Sequence, residues 1–271
     1  MSTRGRSMLF VPGNRAVLGA KAPRSAPDVV VLDLEDAVPP ADKAEARATV
    51  RQVAADLASV VPLCVRVNPP TTSWFMDDVA ALPDGLLAVV VPKIESAAQL
   101  AEVAEALHGR SVVAGLETVR GVADARELLQ APVVACYFGA EDYIADLGGI
   151  RTDGNDEVAY PRAYVAMAAR LAGIPAFDMV TLDFGHDDRF VAEALEARAL
   201  GYAGKMCVHP AQVTLANEAF RPSAMEIDWA RRLLAAFEEA GGTTIAFEGM
   251  MVDEVVAARA TAILTASDAE H

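Results

Sequence analysis

Basic residues, histidine and cysteine are all scarce in this chain of 271 residues, and each shortage removes a class of function. Lys and Arg number 23 against 38 Asp and Glu, which gives a formal charge of −15. A surface this acidic releases no counterions on meeting a phosphate backbone, so nucleic acid and anionic membranes are excluded as main partners. No apolar stretch has the length that a bilayer requires. Arg4 and Arg6 precede only a brief apolar segment, residues 8–11, which runs into Pro12 and Gly13 and is too short for a signal peptide. Cys64, Cys136 and Cys207 have no metal-like spacing and read as buried thiols of a reducing compartment, so a cytoplasmic protein is expected. Of the four histidines only His186 and His209 fall near strand ends, where they read as a loop residue and a turn anchor. No nucleophile elbow, H-E-x-x-H motif, glycine-rich phosphate loop, internal repeat or low-complexity segment is found.

What is present is a regular alternation. Apolar runs that read as buried strands occupy residues 8–11, 29–34, 63–67, 86–91, 112–116, 133–138, 179–182 and 205–208. Between them lie Ala-rich stretches of helical spacing, at 42–57, 97–107, 122–129, 158–171 and 189–200. Pro39-Pro40 can open a helix, Ser96 can cap one, and Asp187 or Asp188 can cap another. Eight strands alternating with helices predict an α/β fold, a TIM (β/α)8 barrel, over residues 1–221. An open doubly wound sheet is the alternative, but no dinucleotide-type glycine fingerprint follows the first run. Residues 222–271 add two helical stretches, 225–239 and 253–266, an extension that barrel closure does not need. It is expected to pack on the barrel, on a neighbouring subunit or over the mouth of the active site.

Parallel barrels carry their chemistry just past the C-terminal strand ends. Glu117 and Asp142 occupy such places after the fifth and sixth runs, so their carboxylates can converge on one Mg²⁺, an ion that takes one or two protein carboxylates and keeps water or substrate elsewhere. The plainer alternative is a pair of helix N-terminal acids or solvated rim charges. Arg66 follows the third run, where its planar fork can hold a substrate carboxylate or pair with Glu35, Asp36 or Glu95. Glu35 and Asp36 can orient metal-bound waters, polarise substrate or satisfy Arg66. Asp33 reads as a buried polar residue, and Lys93 with Glu95 as a charge pair of either structural or catalytic use.

The strings RSMLFVPGNR, VVVLDLEDAV, RVNPP, VVVPKIES, GLETVRG, FGAEDYIADLGG, GKMCVHPAQV and FEGMMVDEVVAARA, in that order, resemble the CitE-like group of the HpcH/HpaI aldolase superfamily over essentially the whole chain. That group includes citrate lyase beta subunits, citramalyl-CoA lyases and malyl-CoA lyases. The resemblance implies a TIM barrel and Mg²⁺-dependent cleavage of a carbon–carbon bond in a 3-hydroxyacyl thioester. It makes Glu117 and Asp142 the metal ligands, Arg66 the holder of the keto-acid carboxylate, and Glu35 and Asp36 contacts of substrate or of the metal's waters. Gly139, Ala140 and Glu141 are expected to line the substrate. Asp253, which otherwise reads as a helix N-cap, matches an aspartate that reaches a neighbouring subunit's site as acid or base, so the tail becomes a lid donated within a homotrimer. Asn14, Arg15 and Lys21 fall where the family meets the CoA nucleotide, though solvated helix-face charges explain them equally well.

The leading expectation is a lyase for a short 3-hydroxyacyl-CoA, with citramalyl-CoA ahead of malyl-CoA. The rivals are a citrate lyase beta subunit working on an acyl-carrier-protein thioester, a free-acid aldolase, a malate-synthase-like enzyme that adds thioester hydrolysis, and a catalytically silent metabolite-binding protein.

Overall fold

The structure, a computed structural model, describes residues 5–130, 132–183 and 185–268. Eight strands close into a parallel barrel in sequence order: β1 (Ser7–Pro12), β2 (Val29–Asp33), β3 (Leu63–Arg66), β4 (Ala88–Val91), β5 (Val112–Leu116), β6 (Val133–Phe138), β7 (Ala176–Asp178) and β8 (Gly204–Cys207), with β8 returning to β1. Side chains alternate along each strand, so one set faces the barrel axis. Met8, Val29, Val31, Cys64, Val90, Val113, Ala135, Tyr137, Phe177 and Met206 belong to that packed interior. Further along the same faces, two residues on in β2 and β3 and four in β5, the apolar set gives way to Asp33, Arg66 and Glu117, which places charge at the C-terminal mouth above an apolar floor.

Two sequence expectations need correction here. The seventh strand is Ala176–Asp178, not residues 179–182. Asp178, which interrupts the apolar reading, sits fully buried in the strand because Arg162 and Lys205 pair with it, and the apolar run beyond it leaves the sheet to line the mouth. The stretch 122–129 is not one helix but two short ones, Val119–Ala123 and Ala125–Leu128, joined at Asp124. Ser96 caps its helix by accepting from the Gln99 N–H, whereas Asp187 and Asp188 lie inside the first turn of Asp187–Leu200 instead of capping it.

The chain divides into two compact units, one ending at Glu218 and the other beginning at Ala219. In the second, the helix Ala224–Glu239 opens on a capping box between Ser223 and Glu226. A hairpin follows, β9 (Ile245–Phe247) against β10 (Met250–Val252), turning on Glu248 and Gly249 with φ of +48° and +80°. The helix Glu254–Asp268 completes the unit, which packs around Ala230, Leu233, Val252, Ala257 and Ala260. Among the described residues, no helix is long and apolar enough to cross a membrane.

Candidate active site

A cavity of about 450 Å³ opens at the C-terminal mouth of the barrel. Its two sides differ. Phe10 from β1, Val180 and Leu182 after β7, and Met206 and Val208 at β8 make an apolar wall, while Asp33, Asp36, Arg66, Glu117, Glu141 and Asp142, from the β2, β3, β5 and β6 side, make a charged one.

Arg66 is held from beneath. β2 and β3 are in register with Asp33 opposite Arg66, so the carboxylate and guanidinium meet as two parallel bonds, Nε to Oδ1 at 2.7 Å and Nη2 to Oδ2 at 2.6 Å. Burial pushes the Asp33 carboxyl up, but Arg66 and two backbone N–H groups outweigh it and hold the pKa below its usual value. Arg66 Nη1 also lies 2.8 Å from Glu35 Oε2, an ion pair that makes no hydrogen bond, and 3.8 Å from Asp36. Sequence reasoning named Glu35, Asp36 and Glu95 as partners for this arginine and missed Asp33; the two-residue spacing from Val31 to Asp33 was the available signal.

Glu117 leaves the end of β5 and is 2% exposed. Its Oε1 accepts from the Lys93 backbone N–H at 2.9 Å and from the Tyr137 hydroxyl at 3.2 Å. Burial, reinforced by the nearby Glu35 charge, pushes its pKa up to about 8. Two glycines make space for it: a Cβ on Gly139 would lie 2.5 Å from Glu117 Oε2, and one on Gly115 would collide with the Tyr137 hydroxyl. Asp142 is in the first turn of the helix Ala140–Leu147, one strand further round, with its side chain 37% exposed. Lys93 Nζ donates to Glu35 Oε1 at 2.8 Å and stands 3.3 Å from Asp142 Oδ1. Burial likewise raises the Glu35 pKa. Lys93, expected to pair with Glu95, reaches Glu35 and Asp142 instead. Tyr137 is the part of the site that the sequence did not mark, and its inward-facing strand position is the signal it offered.

Gly139, Ala140 and Glu141 line the cavity, and Glu141 is held by Arg151 at 2.9 Å. Asn14 donates to Asp42 at 3.0 Å, and Arg15 and Lys21 are exposed around the first short helix. Asp253 is in the second unit, where its Oδ1 accepts the N–H groups of Val255 and Val256 and caps the last helix.

The charged wall suits a small divalent cation. With every group ionised, the carboxylates of Asp33, Glu35, Asp36, Glu117 and Asp142 exceed the cations of Arg66 and Lys93 by three charges. Among the described residues no three His, Cys, Asp or Glu side chains converge on one point; Mg²⁺ takes one or two protein carboxylates and keeps its other positions for water or substrate. Gly139 preserves the space beside Glu117 Oε2 that such an ion needs.

Fold and site define an enzyme of the parallel-barrel class with a carboxylate-and-arginine mouth. The family model described as HpcH/HpaI aldolase/citrate lyase matches residues 6–210. The citrate lyase subunit beta-like protein of Deinococcus radiodurans is 50% identical over 275 residues, 96% of each chain. The (3S)-malyl-CoA thioesterase of Cereibacter sphaeroides is 34% identical over 265 residues, 94% of this chain and 93% of that one. The structure of CitE from Mycobacterium tuberculosis, in complex with magnesium, acetoacetate and coenzyme A, superposes with a TM-score of 0.88 at 38% identity and 98% coverage of both chains. The chain belongs to the HpcH/HpaI aldolase/citrate lyase family and is a carbon–carbon lyase.

Proposed function

We propose that the protein cleaves a short 3-hydroxyacyl-CoA of the citramalyl-CoA or malyl-CoA type into acetyl-CoA and a 2-oxo acid, with Mg²⁺ as cofactor. The observation that carries this reading is the cavity in which Glu117, Asp142 and Arg66 stand together opposite an apolar wall. When bound by Glu117 and Asp142, Mg²⁺ supplies Lewis-acid stabilisation of charge developing on the keto-acid oxygens. Arg66, fixed by Asp33, holds the free carboxylate and orients the bond to be broken. Glu35 and Asp36 contact the substrate or the waters around it. A base removes the hydroxyl proton, the carbon–carbon bond breaks with its electron pair moving into a thioester enolate, and an acid protonates that enolate to give the acetyl thioester. Asp253 is the acid, brought by the C-terminal segment 222–271 of a neighbouring copy in a cytoplasmic homotrimer. Its place beside the β10 hairpin supports that role, because a short hairpin is a compact way to present one carboxylate. Gly139, Ala140 and Glu141 border the substrate, and Asn14, Arg15 and Lys21 meet the CoA arm.

A second reading, a citrate lyase beta subunit acting on an acyl-carrier-protein thioester, draws support from the name of the Deinococcus relative. The experiment that separates them is acetyl-CoA release from citramalyl-CoA, malyl-CoA and citryl-CoA with and without Mg²⁺, for the wild type and Asp253→Ala. Metal-dependent turnover that is lost in the variant is the expected result. No turnover on any CoA ester would transfer the assignment to the carrier-protein subunit or to a silent metabolite-binding protein.

A further inference from the structure

Lys93 adopts a left-handed backbone conformation, φ +53°, which residues other than glycine rarely take and which persists only where the surroundings over-determine it. The turn aims its N–H at Glu117 Oε1 and sends its side chain across the rim to Glu35 and Asp142. One residue therefore touches carboxylates borne by the exits of β2, β5 and β6. The two side-chain contacts are unequal. Nζ makes a 2.8 Å hydrogen bond to buried Glu35, but stands 3.3 Å from the more exposed Asp142 without one. Lys93 also lines a second cavity of about 450 Å³, together with Glu35, Asp36, Lys43, Asn68 and Trp74.

We propose that the Lys93 ammonium is a stand-in cation: it balances Asp142 and Glu35 in the metal-free protein, then releases Asp142 to Mg²⁺ and swings into the second cavity while keeping Glu35. The proposal rests on the reading of Glu117 and Asp142 as the metal-holding pair. The physical logic is charge balance. Carboxylates gathered at a buried rim need a cation at all times, and a cation that stays between them opposes the arrival of another. The looser contact to Asp142 is the one that can be given up, and the second cavity is the space that receives the ammonium. Lys93 is on this account a positioning residue, acting through the carboxylates that it holds.

Acetylation of the wild-type protein, followed by mass spectrometry with Lys21 as internal reference, tests the movement directly. Labelling of Lys93 rises several-fold when MgCl₂ is added to metal-free protein; unchanged or reduced labelling overturns the proposal. Calorimetric titration of MgCl₂ into Lys93→Met tests the competition. The variant binds Mg²⁺ about tenfold more tightly than wild type, and its metal-free form melts lower, with the gap closing in excess MgCl₂; equal or weaker binding overturns the proposal. If Lys93→Met does not fold, the labelling of wild type decides. Asp142→Asn separates the two layers: loss of Mg²⁺ binding in that variant with flat Lys93 results removes the stand-in role alone, whereas undiminished binding removes the metal assignment and the proposal with it.

Discussion

The buried charges around β7 and β8 and those around β2 to β6 differ in balance. Around β7 and β8, Asp178 and Glu193 face Arg162 and Lys205, two of each sign. Arg162 grips Asp178 with a two-pronged contact, Lys205 Nζ donates to Asp178 and to the Met179 carbonyl, and Glu193 takes further donors from Thr181, Asn155 and Arg189. Burial pushes Glu193 up, but Lys205 and these donors outweigh it and hold its pKa below the usual value. Around β2 to β6 the carboxylates outnumber the cations, Glu35 Oε2 has no hydrogen bond, and Glu117 is driven upward. The saturated cluster builds the wall; the unsaturated one leaves a place for something to bind. A buried ion pair alone therefore says little about function, and its unmet charge says more.

The comparison can be broken from either side. On the proposed reading Glu117→Gln removes one of the two carboxylates that hold the metal, and kcat/KM for cleavage of the proposed thioester falls on the order of 10³-fold while the melting temperature stays near that of wild type; steady-state kinetics with thermal denaturation check both halves. Lys205→Met does the reverse. It takes one cation from a cluster that held two of each sign, leaving Asp178 to Arg162 and Glu193 to Arg189 and its neutral donors, at about 3–5 kcal/mol, read as a melting temperature lower by roughly 10 °C, with metal affinity of the folded protein unchanged. Gly139→Ala pushes a methyl into Glu117 Oε2 and weakens Mg²⁺ binding about 10- to 100-fold by calorimetry.

The smallest effect is on pH dependence. A carboxyl with folded pKa near 8 and an ordinary value of 4.5 keeps a proton in the folded state that the unfolded chain has already released, so metal-free stability declines as pH rises through that window. Asp33, with its lowered pKa, contributes stability above the usual carboxylate range that is lost as pH falls through its folded value. Melting curves in EDTA should therefore show a drop of a few degrees toward pH 8 that excess Mg²⁺ removes, and a flat alkaline profile refutes the imbalance.

The barrel was legible because buried parallel strands are written as unbroken apolar runs, and strand ends announce the rim. Glu117, Asp142 and Arg66 were read from that rule alone. Where the rule failed, a charge was the cause: Asp178 inside a strand shifted the expected β7 onto the apolar segment after it. Asp33 was hidden for the same reason, since a carboxylate inside a strand gains its meaning only from the residue registered beside it. Lys93 depends on a left-handed turn that composition does not signal. The β9–β10 hairpin was also missed, although Glu-Gly between two short apolar segments is compatible with a two-residue turn of positive φ.

The cavity's two walls come from different strands: charge from β2, β3, β5 and β6, and apolar surface from β1, β7 and β8. That partition makes the barrel modular in a way useful to evolution and to engineering. Exchanging Val180, Leu182, Met206 or Val208 for larger or smaller side chains changes the shape of the apolar half and leaves every charged side chain of the other half in place.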